Sequence, residues 1–195
     1  CSDSVIFTVN VNPSPPSITI LPGDITLCEG SIQQLSATFG ASSAINIINE
    51  SFEGTPTWTT SNFSTGGTIA NADWTLRNSV YSYTSGTWIF NASSNDASQF
   101  YMTNSDAQGD AGSESTLTRL QSPAFSTIGL SSATLKFYHY YRRYNEASPQ
   151  GGFVEVSTDG TNWTTLQSYN SAQQGNSNAF SEVTLNLDSY LNQAT

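Results

Sequence analysis

The sequence predicts an all-β sandwich, and three observations carry that prediction. Apolar residues alternate with polar ones through most of the chain, no stretch sustains a 3.6-residue period, and Gly, Asn, Asp and Ser turn signals separate the runs at short intervals. Many short strands at this spacing belong to a sandwich or jelly roll. The core material is present: hydrophobic residues make up 36% of 195, with four Trp, nine Tyr and ten Phe.

Taken in order, residues 5–12 place Val5, Phe7, Val9 and Val11 on one face and Thr8, Asn10 and Asn12 on the other, a half-buried strand. Pro13-Ser14-Pro15-Pro16-Ser17 then forms a stiff linker, because proline cannot donate to a ladder. Strands are expected at 17–21, 25–27 and 31–38, the first two joined by Pro22-Gly23-Asp24, and the small residues 40–44 close this section. Further strands are expected at 45–52, 73–78, 87–91, 99–104, 115–121, 133–144, 152–157, 163–169 and 180–187. Thr158-Asp159-Gly160-Thr161-Asn162 reads as the tip of a hairpin spanning 154–166. This tip resembles the Asp-box turn of sialidase propellers, but a single copy without repeats is a turn motif rather than a propeller.

Charge narrows the function. Asp+Glu number 15 against five Lys+Arg, a net charge of −10, and Lys136 is the one lysine. Charged residues are only 10%, so the acidity reflects missing bases; 55 Ser and Thr and 17 Asn keep the surface wet. Phosphate neutralisation needs Lys and Arg, which argues against nucleic acid and anionic lipid as partners. No apolar run approaches the ~18 residues of a membrane span, so no direct membrane insertion is expected. The chain opens on Cys1-Ser2-Asp3 with neither a basic region nor an apolar leader.

The order of motifs resembles the large surface adhesins of gliding bacteria that use type IX secretion. Cys1-Ser2-Asp3-Ser4 with Phe7-Thr8-Val9-Asn10-Val11 is similar to the last strand of a bacterial immunoglobulin-like repeat. Ile25-Thr26-Leu27-Cys28-Glu29-Gly30-Ser31-Ile32 resembles the opening of the next. Glu50-Ser51-Phe52-Glu53-Gly54, Trp58 and Asp73-Trp74 resemble the start of a MAM-like jelly roll of the cleaved-adhesin or choice-of-anchor type. Leu120-Gln121-Ser122-Pro123-Ala124-Phe125, Ala133–Tyr140 and Val154–Trp163 continue that likeness. The resemblance implies three parts: residues 1–13 as the end of a preceding repeat, 14–44 as linker and first strands of a second, and 45–195 as the jelly roll. Such modules close with a further pair of strands, so the jelly roll is expected to lack its closing section here. Immunoglobulin-type bridges run within one module, which would send Cys1 and Cys28 to partners outside the chain; a Cys1–Cys28 disulfide and lipidation of Cys1 are the alternatives.

Catalytic signals are sparse, and a non-enzymatic protein is expected. His139, the one histidine, shares a strand face with Leu135, Phe137 and Tyr141 and reads as a packed side chain. There is no Gly-x-Ser-x-Gly elbow and no base beside either cysteine. Glu155 raises a carboxylate-pair hydrolase, but spacing supplies no opposing acid. Structural Ca²⁺ is a stronger candidate: Asp106, Asp110 and Glu114 put three carboxylates on a Gly-rich loop, and calcium takes six to eight hard oxygens. Related jelly rolls bind calcium through the glutamate of a Phe-Glu pair, so the resemblance adds Glu53, with Asp96, Asp106 and Asp110 as loop ligands. Acidic turn residues also occur for turn geometry alone. For glycans, Tyr138, Tyr140, Arg142 and Tyr144 share the face opposite His139 with Lys136, and Trp88 and the loop 81–83 are looser candidates. Aromatic rings beside hydrogen-bonding side chains suit sugars, although a sandwich can equally bury such tyrosines.

Sequons at Asn49, Asn62, Asn91 and Asn162 are expected by chance in so Asn- and Ser-rich a chain. Asp3-Ser4-Val5 matches a short O-glycosylation pattern of adhesin-bearing bacteria. The resulting expectation is a segment of a large extracellular, cell-surface adhesin. It would attach to surfaces or polysaccharide by many weak contacts, in gliding motility by the resemblance, with the type IX secretion and motility machinery as partners. The alternative is a substrate-binding accessory domain of a secreted protease or glycosidase.

Overall fold

The computed structural model describes residues 6–11, 19–21, 36–38, 44–109, 112, 114–143, 151–170 and 173–192. In chain order the strands are β1 (Ile6–Val11), β2 (Thr19–Leu21), β3 (Ser36–Thr38), β4 (Ile45–Glu50), β5 (Thr59–Asn62), β6 (Thr75–Arg77) and β7 (Tyr81–Ser85). They continue with β8 (Trp88–Ala92), β9 (Phe100–Met102), β10 (Thr118–Gln121), β11 (Ala133–His139), β12 (Gly152–Val156), β13 (Thr164–Tyr169) and β14 (Ser181–Asn186). Short 3₁₀ turns at Ile69–Ala72, Asp106–Gln108 and Asp188–Tyr190 are the helical elements among the described residues. None of them is long and apolar enough to cross a membrane.

The protein is an all-β, antiparallel sandwich. Its largest sheet has the order β14-β11-β1-β4, and the pairs β5–β10, β6–β9, β7–β8, β12–β13 and β2–β3 complete it. β11 organises the molecule because its alternation is nearly ideal. Ala133, Leu135, Phe137 and His139 are buried, while Thr134, Lys136 and Tyr138 are half-buried on the other face. The first face packs with Leu187, Val183, Leu185, Phe125 and Leu130, and with Val154 and Leu166 of the β12–β13 hairpin. On the other face Tyr138 meets a cluster of Phe90, Ala92, Phe100, Met102, Tyr140 and Phe180, so the β7–β8 hairpin covers it. A third cluster, Phe52, Trp58 and Tyr101 with Trp74, Leu76 and Leu120, joins the end of β4 to β6–β9 and β10.

β1 lies where the sequence reading did not place it. Ile6 to Val11 pairs with β11, from Ile6 opposite Tyr138 to Val11 opposite Ala133, and with β4 on its other side. Period-2 alternation identifies a strand but carries no information about its partner. Inserted between β4 and β11, β1 pairs backbone edges that would otherwise stand open. Two strands, β5 and β7, were not expected at all, and the expected strand at 133–144 ends its regular ladder at His139.

Candidate functional site

The β7–β8 hairpin concentrates the aromatic chemistry. Tyr81-Ser82-Tyr83-Thr84-Ser85 turns through Gly86-Thr87 into Trp88-Ile89-Phe90-Asn91-Ala92, and Gly86 has a φ of 60°, which a two-residue hairpin turn requires. The register sets Tyr81 opposite Ala92, Tyr83 opposite Phe90 and Ser85 opposite Trp88, so Tyr81, Tyr83, Trp88 and Phe90 share one face. Trp88 and Phe90 stack at 5.7 Å with planes 22° apart, and Phe90 continues onto Tyr140 at 6.1 Å and 17°. Tyr81 tilts against Phe90 at 6.4 Å, and Tyr83 meets Trp88 edge-on at 6.2 Å. Phe90 and Tyr140 are buried, while Tyr81, Tyr83 and Trp88 are half-buried at the rim.

Two arginines cap this row. The Arg142 guanidinium lies 4.7 Å over the Trp88 ring, and that of Arg77 lies 4.9 Å over Tyr81. The tyrosine hydroxyls anchor the hairpin to the neighbouring loop. Tyr81 Oη accepts from Asn104 Nδ2 at 2.9 Å, and Tyr83 Oη donates to the Asp106 carbonyl at 3.0 Å. That loop is itself fixed by buried Gln108, which donates to the Thr65 and Gly66 carbonyls at 2.9 and 3.0 Å and accepts from Thr116 Oγ1 at 2.7 Å. Gly67 must be glycine here: its φ is +56°, and a Cβ would stand 2.3 Å from the Gln108 carbonyl oxygen.

The four residues expected to form a glycan platform part company. Tyr138 donates its hydroxyl to Glu182, which also pairs with Lys136 at 2.8 Å. The hydrogen bond to Glu182 raises the pKa of both Lys136 and Tyr138, and Lys136, then Tyr138, lower that of Glu182. Tyr140 is 4% exposed, a packed sandwich residue, because the β7–β8 hairpin packs over it. Arg142 does reach the aromatic rim, and Tyr144 lies outside the described residues. The sequence reading named Trp88 and 81–83 only as looser candidates and missed Arg77. The signal for the hairpin was there, in two alternating aromatic runs separated by Gly86-Thr87.

Of the candidate calcium ligands, Glu53, Asp96 and Asp106 lie among the described residues. Glu53 accepts from the Gln99 backbone N–H at 2.7 Å and from its side chain at 3.4 Å. Asp96 accepts from the backbone N–H and hydroxyl of Ser98 at 3.1 and 2.5 Å, which lowers its pKa. These two acids therefore meet the same turn, whereas Asp106 sits beside Tyr83 on another loop. Asp110 lies outside the described residues, as do Cys1 and Cys28. Among the described residues no three His, Cys, Asp or Glu side chains are grouped to hold a metal ion. Glu53 and Asp96 act as turn acceptors. The Phe52 that precedes Glu53 is fully buried at φ 60°, held by the bond from its N–H to Glu50 Oε1 at 2.6 Å and by edge contacts with Trp58 and Tyr101. Positive φ at a bulky residue costs on the order of 1–3 kcal/mol, which this packing offsets.

His139 is buried against Phe137 and Tyr169, its Nε2 without a hydrogen-bond partner, and burial pushes its pKa down to about 4. Glu155 pairs with Arg119 at 3.4 Å. A shallow cavity of about 180 Å³ beside Asn78, Val80, Ser94 and Phe100 is lined by no titratable side chain. Comparison with protein-family models, curated protein sequences and solved structures finds no match to this chain.

Proposed function

We propose that this chain is a non-enzymatic segment of a large extracellular, cell-surface adhesin that attaches to polysaccharide. The observation that supports this most is the half-buried row Tyr81, Tyr83 and Trp88, capped by Arg77 and Arg142, at the rim of the sandwich. Partly open aromatic edges beside hydrogen-bond donors match the apolar faces and polar rims of sugar rings, and a shallow rim accepts a polymer passing across it. The surrounding surface is rich in Ser, Thr and Asn and poor in Lys, which limits indiscriminate electrostatic contact. Each contact would be weak and multiplied by repetition along the polypeptide. A jelly-roll strand order, immunoglobulin-like flanking repeats, type IX export, a role in gliding and a structural Ca²⁺ belong to the same proposal through the resemblance of the sequence.

The test is retention of the purified chain on immobilised polysaccharides, with Trp88→Ala beside the wild type. The expected result is binding that weakens roughly tenfold or more in the variant, about 1.4 kcal/mol. Binding unchanged by Trp88→Ala would remove this face from the account.

A further inference from the structure

Resting on that reading, we propose that the β7–β8 rim takes an acidic polysaccharide, one bearing carboxylate or sulfate groups, with Arg77 and Arg142 as the anion-binding residues. The cations of the described chain fall into two groups. Lys136 is neutralised by Glu182 at 2.8 Å and Arg119 by Glu155 at 3.4 Å, while Arg143 donates to the Asn170 carbonyl. Arg77 and Arg142 have no carboxylate within ion-pairing distance among the described residues, although the chain carries three times as many acids as bases. Both instead lie over aromatic rings, at opposite ends of the row Tyr81–Phe90–Trp88.

That arrangement favours an anion over a neutral sugar. A guanidinium over a ring is held by the ring's negative face, which orients it without consuming an acceptor. Its N–H groups remain directed for bidentate recognition of a carboxylate or sulfate. One face of Trp88 and one of Tyr81 are taken by the guanidiniums, which leaves less ring surface for a neutral sugar to stack on. The net charge of −10 opposes contact of a polyanion with the rest of the surface. At physiological ionic strength that repulsion is screened over about 8 Å, so a local pair of arginines decides whether and where the polymer binds.

The experiment measures binding of the purified chain to polygalacturonate, to dextran sulfate and to unsubstituted dextran. Both anionic polymers are expected to bind at least about tenfold more tightly than dextran, and to weaken as salt rises from about 0.05 to about 0.5 M. Arg77→Gln and Arg142→Gln are each expected to lose roughly tenfold, whereas Arg119→Gln, with the same change in net charge but a carboxylate partner, stays within about twofold. Preference for one anionic polymer would identify carboxylate or sulfate as the group recognised. Equal binding to dextran overturns the inference and leaves the adhesin reading standing, as does an Arg119→Gln loss matching that of Arg142→Gln. Binding to none of the three overturns both. The polymer comparison and its salt dependence use the unmodified chain, so the outcome does not depend on any variant folding.

Discussion

Two hairpins cover the two faces of β11, and they close their chemistry in opposite ways. β12–β13 brings Val154 and Leu166 onto the Leu135–Phe137 face, and its tip is closed by its own hydrogen bonds. At its tip Asp159 accepts from the Thr161 and Asn162 backbone N–H groups at 2.8 and 2.7 Å and from the Asn162 side chain at 2.7 Å, which holds its pKa well below the usual carboxylate range. Beside it Arg119 lies 4.4 Å over Trp163 and pairs with Glu155. β7–β8 has the same antiparallel form and the same arginine-over-tryptophan contact, but no carboxylate pairs with that arginine among the described residues. A cation–π contact alone therefore does not distinguish scaffold from binding surface. The proposed binding surface differs in that no counter-charge pairs with Arg77 or Arg142 among the described residues.

The comparison breaks most visibly at Tyr140, the ring that seats β7–β8 on the sheet. Tyr140→Ala is expected to cost about 3–5 kcal/mol, read from the midpoint of chemical denaturation. It should abolish polysaccharide binding with it, since the hairpin loses its support. A loss of stability with binding intact would separate the two roles.

Acid acts on the other hairpin. His139 packs 4.5 Å from Tyr169 of β13, and its folded pKa is about 4 against an ordinary 6.5. Below pH 6.5 the unfolded chain takes up a proton that the folded chain refuses. The stability contributed by neutral His139 is thus complete above pH 6.5 and falls as the pH drops toward 4, by at most about 3 kcal/mol. Denaturation midpoints between pH 4.5 and 6.5 should show this slope, and His139→Phe should flatten it; an equal slope in the variant would reject burial of the imidazole.

The two tryptophans sharpen the contrast at smaller scale. Trp88→Ala is expected to weaken polysaccharide binding roughly tenfold, while Trp163→Ala leaves it within about twofold. Equal losses would mean that an arginine-capped tryptophan suffices without an unpaired charge. The smallest effect is expected at Asp159→Ala, a slight fall in melting temperature at neutral pH with binding unchanged. Because the folded pKa is depressed, that difference should begin to shrink as the pH falls below the ordinary carboxylate range and vanish only below the depressed folded value; a difference that does not shrink at all in acid would contradict the turn role.

Legibility followed how locally each feature is encoded. The β12–β13 hairpin was readable because alternation and an Asp-Gly turn occur within one short stretch. β5 was not: Thr59-Thr60-Ser61-Asn62 has no apolar residue and is a strand because it pairs with Thr118–Gln121 of β10. β7 was passed over because its alternating residues are tyrosine and serine rather than aliphatic. The candidate site was readable in part. Arg142 and Trp88 were named separately, Arg77 was not, and Glu53, Asp96 and Asp106 were grouped although the fold sends them to two loops.

The all-β class, the alternation of β11 and the acidic, lysine-poor surface are legible in the residues alone. These depend on residue type and on period-2 geometry, both local properties. The placement of β1 between β4 and β11, the burial of Tyr140, and the capping of one aromatic row by Arg77 and Arg142, with no carboxylate partner among the described residues, arise only on folding. Partner choice and counter-charge depend on residues tens of positions apart, and their distances are set by packing rather than by spacing along the chain.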